Sequence, residues 1–237
     1  MNMQIKINNL IKQYGKNTVL NIPELSVYPG ELVGLVGNNG AGKTTLMRLM
    51  LDLIEATEGS VELGNYRVDE DATWKQTTGS FIDGRFLIDF YTPEEYFDFI
   101  AQAYHIDKET LDSRLAEYQP LMHDEVLGTK KYLRQFSEGN RQKISIIGAM
   151  LTNPSVLILD EPFNYLDPTS QITVARLIRE MNERLGTTVI ISSHNLNFVS
   201  EISSRILLLE KGLVIKDLDN IDGSATQELE DYFKTAE

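Results

Sequence analysis

Val33-Gly34-Leu35-Val36-Gly37-Asn38-Asn39-Gly40-Ala41-Gly42-Lys43-Thr44-Thr45 is the stretch on which the fold turns. Val33 to Val36 is a short apolar run that enters a loop with glycines at 37, 40 and 42. From Thr45 to Ile54 apolar residues recur at helical spacing (Leu46, Leu49, Met50, Leu53), so strand, loop and helix follow one another. Glycines let the backbone close around a phosphate chain. The helix that follows aims N–H groups and its dipole at the same anion. Lys43 is placed to reach the outer phosphates, and Thr44 to offer its hydroxyl to Mg²⁺. The loop by itself specifies a bound nucleoside triphosphate and nothing about its use.

A second motif, Phe136-Ser137-Glu138-Gly139-Asn140-Arg141-Gln142, stands ahead of the apolar run Val156-Leu157-Ile158-Leu159, which ends in Asp160-Glu161. A continuous apolar run of this length suits a strand buried on both faces. A carboxylate leaving such a strand lies at the carboxyl edge of the sheet, where ligands bind. Asp160 is thereby placed to hold the Mg²⁺ shell through water. Glu161, one residue on, is placed to orient and deprotonate a water near the terminal phosphate. In this order the motifs resemble those of the ATP-binding subunit of an ABC transporter, and the resemblance covers almost the whole chain.

The resemblance implies an α/β fold: a P-loop NTPase (RecA-like) parallel-sheet core, a small antiparallel β subdomain and an α-helical subdomain. It implies an ATPase domain over residues 1–222, with the helical subdomain at about 85–152, and a short acidic tail over 223–237. ATP and Mg²⁺ are the implied cofactors. ATP would contact Gly37, Asn38, Asn39, Gly40, Ala41, Gly42, Lys43, Thr44 and Thr45. Ser137-Glu138-Gly139-Asn140-Arg141 resembles the ABC signature, in which Ser137, Gly139 and Asn140 would bind the ATP held by the other protomer of a head-to-tail dimer. The family favours Ser-Gly-Gly-Gln, so Glu138 and Asn140 are departures; a carboxylate facing ATP would be repelled, and Glu138 is expected to point outward. His194, after Ile190-Ile191-Ser192-Ser193, resembles the switch histidine that acts with Glu161 in catalysis. Tyr14 resembles the aromatic residue that stacks on adenine, the alternative being a core or surface tyrosine. Asn164-Tyr165-Leu166-Asp167 resembles the loop that crosses the dimer interface, and Asp167 also reads as a helix N-cap. Asp83 stands where the family usually has a glutamine that reaches the metal. It is either a third oxygen donor beside Thr44 and Asp160 or a turn residue.

Elsewhere the pattern is ordinary. Ile5, Ile7 and Val27 alternate with polar residues and, with Val61 to Leu63, suggest a small antiparallel sheet. Thr92-Pro93-Glu94-Glu95 has the form of a capping box, opening a mostly helical stretch to about Leu151. Asp167-Pro168 opens another helix with Ile172, Ala175, Ile178, Met181 and Leu185 on one side, closed by Gly186. Thr188 to Ile191 reads as a buried strand, and Ile206 to Leu209 with Leu213 to Ile215 as a hairpin. His105 and His123 read as ordinary helix-surface residues, and the end of the chain as one helix.

Composition narrows the function classes. No run approaches the roughly 18 apolar residues of a membrane helix, and residues 1–6 lack the blocks of a signal peptide. A cytoplasmic location is expected, peripheral on the inner face of the membrane through a transmembrane permease. There are no cysteines, which excludes disulfides, thiolate metal sites and a cysteine nucleophile. A formal net charge of -13 repels nucleic-acid phosphates, so no nucleic-acid partner is expected. The function expected is the hydrolysis of ATP by a homodimer, or a dimer with a related ATPase subunit, to energise a permease of the exporter kind. The alternative is a soluble ATPase of the same type acting on an assembly such as the ribosome. Members of that kind usually carry two such domains and basic linkers, whereas this chain has one domain and is acidic.

Overall fold

The computed structural model describes residues 3–82 and 87–235; Asp83 and Phe86 fall outside them. Strands β1 (Ile5–Tyr14), β2 (Asn17–Val27), β4 (Glu58–Leu63) and β5 (Tyr66–Arg67) form a four-stranded antiparallel sheet in the order β2-β1-β4-β5. Between them in sequence run β3 (Leu32–Val36) and helix α1 (Lys43–Met50). The second sheet has six strands. Its other members are β6 (Thr78–Phe81), β7 (Val156–Leu159), β8 (Thr188–Ser192), β9 (Arg205–Glu210) and β10 (Leu213–Asp219), ordered β10-β9-β3-β8-β7-β6. All neighbours there are parallel except the β9–β10 hairpin. Six further helices are α2 (Pro93–Ala103), α3 (Lys108–Glu117), α4 (Gln119–Met122), α5 (Glu138–Met150), α6 (Pro168–Leu185) and α7 (Leu196–Ile202). The last helix, α8, is Thr226–Thr235.

The apolar runs are continuous because the six-stranded sheet is covered on both faces. Side chains alternate accordingly. Val156, Ile158 and Ile190 pack with α1 and the antiparallel sheet, among Leu46, Met50, Ile7 and Ile22. Leu157, Leu159 and Ile191 pack on the opposite face, among Ile144, Ile147, Val174 and Ile178. A third cluster joins Val36, Ile206 and Leu208 to Val199 of α7 and Leu229 of α8.

Local signals are realised where expected. The Thr92 hydroxyl accepts from Glu95 N–H while the Glu95 carboxylate accepts from Thr92 N–H, which forms the capping box. Asp167 caps α6 through Ser170 N–H at 3.0 Å, and Gly186 ends it in the left-handed region at φ 66°.

Three expectations are corrected. Helix α1 stops at Met50, because Asp52 turns left-handed at φ 51° and Leu53 N–H returns to Arg48 C=O at 2.9 Å. Ile172 of α6 is exposed, since it lies about 120° around the helix from Ile178 at 3.6 residues per turn. Leu185, in the last turn, is also partly exposed, and the buried face is Ser170, Val174, Ala175, Leu177, Ile178 and Met181. His105 and His123 sit at helix ends rather than on helix surfaces, both with positive φ (55° and 50°), where the chain reverses. The stretch ahead of Leu151 is mostly helical, as expected, with breaks at residues 104–107, 118, 123–132 and 136–137.

Candidate active site

The glycine loop leaves β3 and ends at the first turn of α1. Gly37, Gly40 and Gly42 all have positive φ (153°, 82° and 111°). At Gly37 a Cβ would stand 2.3 Å from the carbonyl oxygen of Leu209, so only glycine allows that approach. Gly42 is the N-cap of α1, which has no side-chain cap and no acidic residue in its first turn. That N-terminus is therefore open to an external anion. The Lys43 ammonium is buried and donates to Gly37 C=O at 2.7 Å and Asn38 C=O at 3.4 Å.

Asp160 leaves β7 beside this turn, its N–H bonded to Phe81 C=O of β6. Its buried carboxylate accepts on both oxygens: from Thr44 Oγ1 at 2.5 Å on Oδ2, and from Ser192 Oγ on Oδ1. Ser192 Oγ accepts in turn from Glu161 N–H at 2.9 Å. Glu161 has φ 49°, an uncommon conformation for a non-glycine residue and one that clusters at functional sites. Its carboxylate accepts from His194 N–H at 3.3 Å and lies 2.8 Å from His194 Nδ1. The Lys43 ammonium is 3.9 Å from the other carboxylate oxygen. The cleft above these groups is lined by Val36, Gly37, Asn38, Asn39, Glu161, Asn164, Ser193, His194, Leu196 and Phe233.

The sequence-predicted residues thus fall into two groups. Lys43, Thr44, Asp160, Glu161 and His194 come together with the glycine loop. Ser137, Gly139 and Asn140 stay at the N-terminus of α5, outside the lining of that cleft. Ser137 caps α5 by accepting from Asn140 N–H at 3.3 Å, and Glu138 is exposed, as expected. Gly139 presses on the turn after Glu161: a Cβ there would be 2.7 Å from Tyr165 C=O. Tyr14 is exposed at the end of β1 under the Lys12 ammonium, 4.9 Å from the ring centre. Ser170 holds the Asp167 carboxyl below its ordinary value, through its hydroxyl first and its N–H second. Asp83 lies outside the described residues.

Three participants were not assigned a role from sequence. Ser192 is the last residue of a buried strand, and its hydroxyl matters only because β8 pairs with β7. The buried Gln142 amide donates to Glu161 C=O at 3.2 Å and Pro162 C=O at 3.1 Å, tying α5 to the turn below the carboxylate. Phe233 reaches the cleft from the last turn of α8. Only Gln142 carried a signal, its place within the motif opened by Phe136.

Comparison with known proteins agrees with this geometry. The ABC transporter family matches residues 20–164. The bacitracin transport ATP-binding protein BcrA of Enterococcus faecalis is 33% identical over 225 residues, 92% of this chain and 70% of that protein. The methionine import ATP-binding protein MetN 1 of Oceanobacillus iheyensis is 32% identical over 90% of this chain and 65% of its own length. A solved dimeric structure of MJ0796, described as a bacterial ABC transporter cassette, superposes with a TM-score of 0.81 at 25% identity, covering 92% of this chain and 99% of that one. The chain belongs to the ABC transporter family, as one of its ATP-binding cassettes, the ATPases of that family.

Proposed function

We propose that this chain binds and hydrolyses ATP to drive a separate membrane permease, in the export direction. The observation that carries the reading is the arrangement around Asp160 and Glu161. One carboxylate is fixed by two hydroxyls beside the glycine loop, and the next is fixed by His194 at the mouth of the cleft.

The donor set fits Mg²⁺. Thr44 and Asp160 supply oxygen only, and among the described residues no cluster of three acidic or histidine side chains forms a closed cage. Mg²⁺ suits such a set because it keeps waters and phosphate oxygens as its remaining ligands. Bound there, it would neutralise charge on the phosphates. Lys43 offers those phosphates the ammonium that it otherwise directs to Gly37 C=O and Asn38 C=O. Glu161 accepts the proton of the attacking water, and His194 keeps its carboxylate aimed. Thr45 and the N–H groups of residues 38–42 complete the cradle. Tyr14, exposed at the end of β1 in the antiparallel sheet, is the adenine platform of this reading.

Ser137, Gly139 and Asn140 lie outside the cleft, and MJ0796 was solved as a dimer. Both facts support a head-to-tail homodimer, or a dimer with a related subunit, in which each signature closes the partner's site. No helix among the described residues is long and apolar enough to cross a membrane. A peripheral place on the inner membrane face, through the permease, is the location this reading implies. A groove lined by Leu53, Phe81, Ile82, Leu87 and Tyr96, with Phe90 exposed nearby in sequence, supports docking there. Of the neighbouring aromatics, Tyr91 is half-buried against Phe99, and Phe86 is outside the described residues.

The Glu161→Gln variant tests the reading. It should bind ATP as the parent does and hydrolyse it about 10²–10⁴-fold more slowly. Its dimer should persist with ATP in size-exclusion runs. Near-normal turnover would overturn the assignment.

A further inference from the structure

We propose that Tyr232 and Phe233, on the C-terminal helix α8, are positioning residues of the nucleotide site. They hold the loop of His194 and the glycine-loop tip Asn38–Asn39 in the shape that accepts the triphosphate. This rests on the ATPase reading above.

Helix α8 is not a loose acidic appendage. Leu229 is fully buried and Ala225 nearly so, packed with Val36, Val199, Ile206 and Leu208. Three ties run from it to the site. Phe233 lines the same cleft as Asn38, Asn39, Glu161 and His194. The Tyr232 hydroxyl donates to Glu210 Oε2 at 2.6 Å, at the end of β9. That bond holds the Glu210 carboxyl below its ordinary value. Two residues on, Gly212 N–H donates to Ala41 C=O of the glycine loop at 2.8 Å, and the Leu209 carbonyl abuts Gly37. The phenol therefore braces the hairpin that braces the loop. The third tie is Asn220, which is buried. Its amide donates to Ser200 C=O and Ser203 C=O, both at 2.7 Å, and its carbonyl accepts from Ala225 N–H at 3.1 Å. It joins the end of α7 to the start of α8. Helix α7 begins two residues after His194, so α7 and α8 move as one piece with the histidine loop.

The physical effect is preorganisation. A wall already in place lowers the cost of ordering two loops when nucleotide binds. Linkage makes the effect reciprocal: nucleotide must stabilise docked α8 by the same factor by which docked α8 favours nucleotide.

Two measurements test this on the full chain. The first is equilibrium binding of a fluorescent N-methylanthraniloyl ATP in chelator, without metal or turnover. Phe233→Ala should weaken binding about fivefold, about 1 kcal/mol. Phe233→Leu should restore most of it, and Tyr232→Phe, which keeps the ring, should cost about twofold. The second is hydrogen exchange over residues 226–235. It should slow on nucleotide addition in the parent and much less in Phe233→Ala. A merely structural helix would lose stability on truncation without changing affinity per folded molecule. The proposal is overturned if both substitutions at 232 and 233 leave affinity unchanged, or if exchange in α8 ignores nucleotide. If Phe233→Ala does not fold, Tyr232→Phe and the parent's exchange decide. A parent chain that binds no analogue would instead overturn the ATPase reading.

Discussion

Replacing Ser192 by alanine should damage stability and hydrolysis together while sparing nucleotide binding. The hydroxyl is fully buried and has two partners: it donates to the buried Asp160 carboxylate and accepts from Glu161 N–H at 2.9 Å. A hydrogen bond to a charged group contributes about 1.5–3 kcal/mol, and a buried N–H left without an acceptor costs about 1–3 kcal/mol. The two belong to one network and do not add fully, so the expected loss is about 2–4 kcal/mol. For a chain of this size each kcal/mol moves the melting midpoint by about 2–4 °C. The functional effect follows from Glu161, whose positive φ of 49° persists only while its surroundings hold it. Once its N–H is free, the backbone can relax and carry the carboxylate away from His194. The hydrogen bonds of the Ser192 hydroxyl go to Asp160 and Glu161, not to Lys43 or the glycine loop, so ATP affinity should change little. Urea unfolding, steady-state turnover and nucleotide titration on the same preparation check all three quantities. A stability loss below about 0.5 kcal/mol, the size of an ordinary surface substitution, would refute the reasoning. So would a fall in affinity matching the fall in turnover.

Mixing a Lys43→Ala chain with a Gly139→Asp chain should partly restore activity, because one composite site in each mixed dimer then carries neither defect; no recovery at any ratio counts against sharing of sites. With its permease co-expressed, the chain should pellet with membranes, and Phe90→Glu should release it while ATP binding stays intact; a variant that stays with the membranes would remove this surface from the docking site. Asp167→Ala should be less stable than the parent at neutral pH, through loss of the α6 cap. Because Ser170 holds the folded-state value of Asp167 below 3.8, its ionised-state stabilisation is complete above the ordinary carboxylate value. It is lost as pH falls through the lowered one. The gap between parent and variant should therefore narrow in acid, and a gap that ignores pH would show that the charge plays no part.

What the sequence made legible is whatever a short stretch of chain determines. The glycine loop carries its own backbone demands: Gly37, Gly40 and Gly42 all adopt positive φ. The capping signals at Thr92 and Asp167 act within three residues of themselves. The apolar run at 156–159 announces burial on both faces, and a carboxylate at its end must emerge at the sheet edge. The ends of elements were less legible. The stop of α1 depends on Asp52 entering the left-handed region, which nothing in Leu51-Asp52-Leu53 demands. The exposure of Ile172 depends on a phase that one residue's displacement reverses.

The residues missed altogether share a different property. Ser192 meets Asp160 across 32 positions, and Gln142 meets Glu161 across 19. Phe233 reaches the cleft from the far end of the chain. Each is a residue of ordinary type whose role comes from a neighbour supplied by the parallel sheet or by the packing of α8. The motif residues can be recognised because, in the proposed reading, they touch the phosphates or the reacting water. Their supports touch only the motif residues, so no chemistry fixes their identity from outside. Glu161 makes the consequence concrete. Its carboxylate is aimed by His194, its N–H is held by Ser192, and its carbonyl is held by Gln142. Three elements, β8, α5 and the loop before α7, thus converge on one strained residue. A shift of α5 against the sheet would reach that carboxylate through Gln142 and through the contact of Gly139 with Tyr165 C=O. Helix α5 and Glu161 are thereby connected within one chain, before any second copy closes the site as proposed.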